Sequence, residues 1–177
     1  MNLNAKNTAI LVIDVQKGLF KQKKPVYNEK RLLINILQII NFARGNGIHL
    51  IFVQHANKGI LKKGSLGWEL HPHIEPLHNE DVVQKNNASA FNDTNLHILL
   101  DKKGIKQLIL LGMTTHGCVK ATCLDAIKIG YDVMLVEDAH SSFSKNASEL
   151  INEWNRKLSE KGIILKSCSE IVTRKVY

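Results

Sequence analysis

Cysteine is scarce in this chain of 177 residues, with three, at positions 118, 123 and 168. An odd number without Cys-x-x-Cys spacing fits neither a disulfide framework nor a zinc ribbon, so each thiol is judged by its own surroundings. Proline is equally sparse at three residues, and internal repeats and low-complexity stretches are absent. With 44% hydrophobic and 23% charged residues, the composition belongs to a chain that folds rather than to a disordered one. Long apolar runs are missing too. The N-terminal MNLNAKNTAILVIDV has one lysine before an apolar stretch that meets Asp14 after six positions, too short for a signal h-region or a membrane span. The expectations are a cytoplasmic protein, no membrane partner, and one domain over 1–177, since the length suits one full core and not two.

The formal charge of +8 raises the question of a nucleic-acid partner. The lysines come in short scattered groups: KQKK at 21–24, KK at 62–63 and KK at 102–103. No aromatic residues are interleaved with them to stack bases. They read as a solvated surface, and no nucleic-acid partner is expected.

Apolar runs and helical spacings alternate along the chain. TAILVIDV (8–15), IHLIFVQ (48–54), DVVQ (81–84), KQLILLGM (106–113), YDVMLVED (131–138) and a run within GIILKS near the C-terminus read as strands. Between them, Leu32, Leu33, Ile36, Leu37, Ile40 and Phe42 mark a helix over 28–45, stopped by Gly45-Asn46-Gly47. Further helices are predicted from Asp93 or Thr94 to Gly104, over 116–129 closed by Gly130, and over about 146–161 before Gly162. Strand–helix alternation with continuously apolar strands predicts an α/β fold, a mainly parallel six-stranded sheet with helices on both faces. Ligands of such sheets bind beyond the carboxyl ends of the strands.

Four residues with chemistry stand at those ends: Asp14, Lys85, Cys118 and Asp138. Asp14 either takes part in proton transfer, its pKa raised by desolvation, or caps a loop. Lys85 alone reads as a solvated lysine. Cys118, in the first turn of the 116–129 helix, sits near free amides and the positive dipole end, which lower a thiol's pKa. Cys123 and Cys168 read as packing or surface thiols. Taken together, Asp14, Lys85 and Cys118 supply a base, a positive charge and a nucleophile.

AILVIDVQKGLF, VVQKNNASAFNDTNL and LILLGMTTHGCVKATCLDAIKIGYDVMLVEDA resemble the signature blocks of the isochorismatase-like cysteine hydrolases, a superfamily that includes nicotinamidases. The resemblance covers nearly the whole chain and is weakest over about 55–78. It implies a three-layer α/β/α sandwich and a triad of Asp14, Lys85 and Cys118: Asp14 takes the Cys118 proton, Lys85 stabilises the thiolate, and Cys118 forms a thioester that water hydrolyses. It further implies a cis peptide at Met113–Thr114, with the amides of Thr114 and Cys118 forming an oxyanion hole. Gln16, Phe20, Trp68, Phe91 and Met113 become the expected substrate-pocket residues. Asp138 is expected to tie down the loop after the fifth strand by accepting backbone N–H bonds. A homodimer or higher homo-oligomer is implied as well.

The pattern departs from nicotinamidases in the 55–78 loop, where their Asp-x-His pair and further histidine hold a metal. Here the loop reads QHANKGILKKGSLGWELHPHIEPLH. His55, His71, His73 and His78 are present, but no aspartate precedes a histidine at that spacing, so neither metal nor other cofactor is expected. Retention of Cys118 favours hydrolysis of a C–N bond in a small amide, carbamoyl or lactam substrate. The alternatives are vinyl ether hydrolysis of the isochorismatase type and a catalytically silent binding module.

Overall fold

The structure is a computed structural model that describes residues 3–177. Its centre is a six-stranded sheet in the order β3-β2-β1-β4-β5-β6. The strands are β1 (Thr8–Ile13), β2 (His49–His55), β3 (Asp81–Lys85), β4 (Gln107–Met113), β5 (Asp132–Ser141) and β6 (Ile164–Lys166). Every pairing between neighbours is parallel. The chain leaves β1 for β2 and β3 on one side, then returns to lay β4 against the other side of β1. The direction of winding therefore reverses between β1 and β4, which leaves a crevice above their carboxyl ends.

Both faces of the sheet are apolar, as a parallel sheet buried on two sides requires. Side chains alternate with the period of two: Ile10 and Val12 point to one layer, Ala9, Leu11 and Ile13 to the other. The first layer is covered by α2 (Glu29–Asn46), whose Leu32, Ile36, Ile39, Ile40 and Ala43 are buried at helical spacing, and by the short α6 (Cys168–Val172). The second is covered by α3 (Leu96–Lys102), α4 (Lys120–Ile129) and α5 (Ala147–Ser159). Each fully buried leucine or isoleucine contributes about 2 kcal/mol relative to leaving it exposed.

Element boundaries differ from those expected in instructive places. α2 runs one residue past Gly45, because the residue that adopts the left-handed cap is Gly47, whose N–H bonds to the Ala43 carbonyl. α3 starts at Leu96 rather than at 93 or 94. Thr94 Oγ1 accepts from the Leu96 amide and donates to the Ala90 carbonyl, ordering the turn ahead of the helix. β5 continues beyond Asp138 to Ser141, with an irregularity: Leu110 pairs with Leu135, yet Gly112 pairs with His140. The extra β5 residues bulge, and His140 is carried to the crevice end of the sheet. α1 (Lys17–Phe20) and α6 are short additions that no sequence pattern announced.

Candidate active site

Four strands deliver the polar residues of the crevice. Asp14 follows β1 with φ of 50°, a left-handed conformation uncommon outside glycine, and its amide donates to the Val53 carbonyl at 2.9 Å. The turn carries the carboxylate over the strand end, where it is 2% exposed. The opposite wall must come very close here. A Cβ on Gly112 of β4 would lie 2.1 Å from the Ile13 carbonyl oxygen, and φ at that glycine is +121°. Only glycine meets both conditions.

Lys85 closes β3 and is as buried as Asp14. Its Nζ lies 2.8 Å from Asp14 Oδ2, 3.1 Å from His55 Nδ1 and 3.1 Å from the Asn87 carbonyl oxygen. An ammonium has three donors and no acceptor, so these partners use all of them. The same count fixes His55 as a neutral ring with Nδ1 accepting. Burial, then the Lys85 charge, holds its pKa below the ordinary histidine value. Asp14 is left with one buried oxygen, Oδ1, that has no hydrogen-bond partner among the described residues. Its carboxyl is pushed above the usual range by burial, an effect the Lys85 ammonium opposes.

Cys118 reaches the same space from β4. After a cis peptide at Met113–Thr114, the chain makes a π-helical turn, Thr115–Val119, before α4 begins at Lys120. Cys118 is the half-exposed thiol of the three; Cys123 and Cys168 are buried. Donor atoms of Asp14, His55 and Cys118 lie within 4.8 Å of one another. The expected lowering of the thiol pKa is overturned. Burial first and the Asp14 carboxylate second push Cys118 up to about 12, against the pull of Lys85. The residue lies ahead of α4 rather than in its first turn, and it shares an enclosed space with an anion.

The turn is pinned from behind by a buried chain of hydrogen bonds. His140, 3% exposed, contacts Thr115 Oγ1 through Nδ1 and Asn155 Oδ1 through Nε2, each at 2.9 Å. Asn155 Nδ2 donates to the Glu137 carbonyl, so its Oδ1 is the acceptor and His140 Nε2 carries the proton. The Thr115 hydroxyl therefore donates to His140 Nδ1. Burial lowers the His140 pKa to about 4 and keeps the ring neutral.

Residues 8–153 match the model of the Isochorismatase domain family. The chain belongs to the isochorismatase family of hydrolases. Streptothricin hydrolase of Streptomyces noursei is 33% identical over 147 residues, which cover 82% of this chain and 53% of that protein, so the chain spans about half of that relative's length. Nicotinamidase 3 of Arabidopsis thaliana is 30% identical over 162 residues, 82% of this chain and 79% of the relative. Among solved structures, an isochorismatase-like hydrolase from Alkaliphilus metalliredigens superposes with a TM-score of 0.84 at 27% identity, covering 94% and 97% of the two chains.

Within this isochorismatase domain, Asp14, Lys85 and Cys118 come together, and of the five expected pocket residues Gln16 and Met113 are wholly buried. Gln16 is fully buried; its Nε2 donates to the carbonyls of His55 and Trp68, and its Oε1 accepts from the His55 amide. Its polar atoms are committed to holding the 56–80 loop. Met113 is likewise fully buried, in the core layer facing α2. Phe91 stacks on Tyr131, ring centroids 5.8 Å apart, and the preceding Ala90 amide donates to Thr122 Oγ1 in the first turn of α4 at 3.0 Å. Phe20 packs on His71 at 4.9 Å. Trp68 contributes its carbonyl to Gln16 and Gln54, while its buried indole N–H has no partner among the described residues. Asp138 is a tether, though not for a loop after the fifth strand: it lies within β5, and its Oδ1 accepts from the Cys168 amide at the start of α6 at 2.7 Å.

His55 belongs to the site, although its place in the sequence groups it with the loop histidines. Its signal was available, since it ends an apolar strand as Lys85 does. The spacing of the Asp14, His55 and Cys118 donor atoms could suit a metal ion. The Lys85 ammonium, bonded to both Asp14 and His55, already supplies positive charge there, and a divalent cation would be repelled by it. That donor set fits a metal poorly.

Proposed function

We propose that this isochorismatase-family protein is a cysteine-dependent hydrolase that opens a C–N bond of a small amide, carbamoyl or lactam compound through a thioester. The observation that carries the reading is geometric: donor atoms of Asp14 and Cys118 lie within 4.8 Å of each other, and the buried Asp14 carboxylate, paired with Lys85, keeps Oδ1 without another hydrogen-bond partner among the described residues. With Cys118 held near 12, the resting nucleophile is the thiol, and Asp14 Oδ1 is the acceptor for its proton. As that proton moves to Asp14, the sulfur adds to the substrate carbonyl carbon, and the carbonyl oxygen becomes an oxyanion. Backbone amides of Thr114 and Cys118 are its proposed donors. Collapse expels the amine, which takes the proton from Asp14. Water then gives a proton to Asp14 and its hydroxyl to the thioester carbon; collapse releases the carboxylic acid, and the sulfur recovers its proton. Lys85 offsets the negative charge shared by Asp14 and the sulfur throughout. The names of the two relatives support this direction, one being a nicotinamidase and the other a hydrolase of streptothricin.

The test is a panel of small amides assayed for amine release, with rapid-quench mass spectrometry of the protein. A substrate is expected to leave its acyl group on Cys118 transiently, and Cys118→Ala to abolish both adduct and turnover without loss of fold. Full activity in that variant would overturn the reading. Activity is expected to be level through neutral pH and to fall on the acid side with an apparent pKa above the ordinary carboxylate value, because Asp14 must be ionised to accept the proton.

A further inference from the structure

The lysines that the sequence presents as solvated surface include a group with a specific place. A cavity of about 630 Å³ opens beside the ends of β2 and β3, lined by Ala56, Asn57, Lys58, Lys62, Lys63 and Asn86. Three of the six are cationic and none is acidic, and no ion pair is described for any of the three. The segment bearing them is a fixed turn. Asn57 Oδ1 accepts from the amides of Gly59 and Leu61, the Asn57 amide donates to the Leu61 carbonyl, and Leu61 is buried beneath.

This cavity adjoins the site. Ala56 follows His55, and its amide donates to the Lys85 carbonyl at 2.8 Å. Asn86 stands between Lys85 and Asn87, whose carbonyl accepts from the Lys85 ammonium. An unneutralised positive concavity concentrates anions and draws them along its walls. Building on the hydrolase reading above, we propose that the substrate is an anionic amide: the Lys58, Lys62 and Lys63 cavity receives a carboxylate or phosphate group of the molecule whose carbonyl is presented to Cys118.

Two alkylating reagents of nearly equal size, iodoacetate and iodoacetamide, differ in the charge this cavity would sense. The rate of each at Cys118 is read by peptide mass spectrometry, with Cys123 and Cys168 as buried controls and glutathione as the free-thiol reference. The ratio of iodoacetate to iodoacetamide rates at Cys118 is expected to exceed that of glutathione about tenfold at low salt. It should shrink as salt is added. Lys58→Gln/Lys62→Gln/Lys63→Gln should return it to the glutathione value, Lys→Arg replacements should preserve it, and Lys128→Gln, on the exposed far end of α4, should leave it unchanged. Succinate and inorganic phosphate, compared as protectants against iodoacetamide, then show which anionic group is preferred. A ratio equal to that of glutathione, or one indifferent to the triple variant, overturns the proposal while leaving Cys118 reactive and the hydrolase reading intact. A Cys118 that stays inert to both reagents at a pH where Asp14 is ionised, and so does not give up its proton to Asp14, overturns the two together.

Discussion

Two ion pairs in this molecule have similar lengths and opposite consequences. Arg156 and Glu160 meet at 2.5 Å on the surface of α5, with side chains 63% and 59% exposed. Asp14 and Lys85 meet at 2.8 Å with side chains 2% and 0% exposed. Water screens the first, so that it contributes less than about 1 kcal/mol. The second has lost its water, and every remaining donor or acceptor must be found inside the protein. The ammonium finds all three partners; the carboxylate does not. What sets the crevice apart is therefore the enclosure of the pair and the one acceptor it leaves over.

That contrast can be broken most drastically at Cys118 and Asp14, the proposed nucleophile and base. Cys118→Ala should lower turnover by at least about 10³-fold, while thermal unfolding stays close to that of the parent. Asp14→Asn should lower turnover comparably and also destabilise the protein by about 3 kcal/mol, since Lys85 would be left buried and unpaired. The double variant Asp14→Asn/Lys85→Met separates the two effects. Chemical denaturation should show most of the stability restored, with activity still absent. If the double variant were as unstable as the single one, the burial of unpaired charge would not be the cause.

A next change leaves the charges alone and disturbs the wall behind them. Gly112→Ala places a methyl 2.1 Å from the Ile13 carbonyl at a φ of +121°, and should cost more than about 3 kcal/mol by denaturant titration. A cost below about 1 kcal/mol would mean that β1 and β4 do not approach as described.

Acid stability comes next in size and depends on His140. Its folded pKa of about 4 lies below the ordinary 6.5, so the unfolded chain binds the proton more readily. Stability is therefore fully present above about pH 6.5, declines as pH falls, and is about 3 kcal/mol lower near pH 4 from this group alone. His140→Gln should flatten that part of the stability profile; an unchanged profile would remove His140 as its source. The smallest effect belongs to the surface. Arg156→Ala is expected to change stability by less than about 1 kcal/mol, less so at high salt.

Much of the fold and of the candidate site was legible from residue order. The apolar runs place the strands because a parallel sheet covered on both faces must be apolar throughout, and the residue at the end of such a run can only lie at the rim. Asp14, Lys85 and Cys118 are located by that rule and by the resemblance of their flanking segments. His55 obeys the same rule and is missed only when the strand is ended one residue early. The pocket residues were less legible. Phe91 stacks on Tyr131, 40 positions further on, and the Gln16 amide is taken up by backbone groups of His55 at the end of β2 and of Trp68 in the following loop, 39 and 52 positions away. His140 gave no signal, because the bulge that brings it level with Gly112 depends on how two strands pair and not on the pattern of either one.

The layers, the sheet and the side chains that reach its carboxyl edge follow from residue order alone, since these depend on local periodicity and on where apolar runs end. The electrostatics of the site come from its packing instead. A helix-end location argued for a lowered Cys118 pKa; desolvation and the facing Asp14 carboxylate raise it instead. Charge states depend on distance through space and on the exclusion of water, and neither quantity is written along the chain.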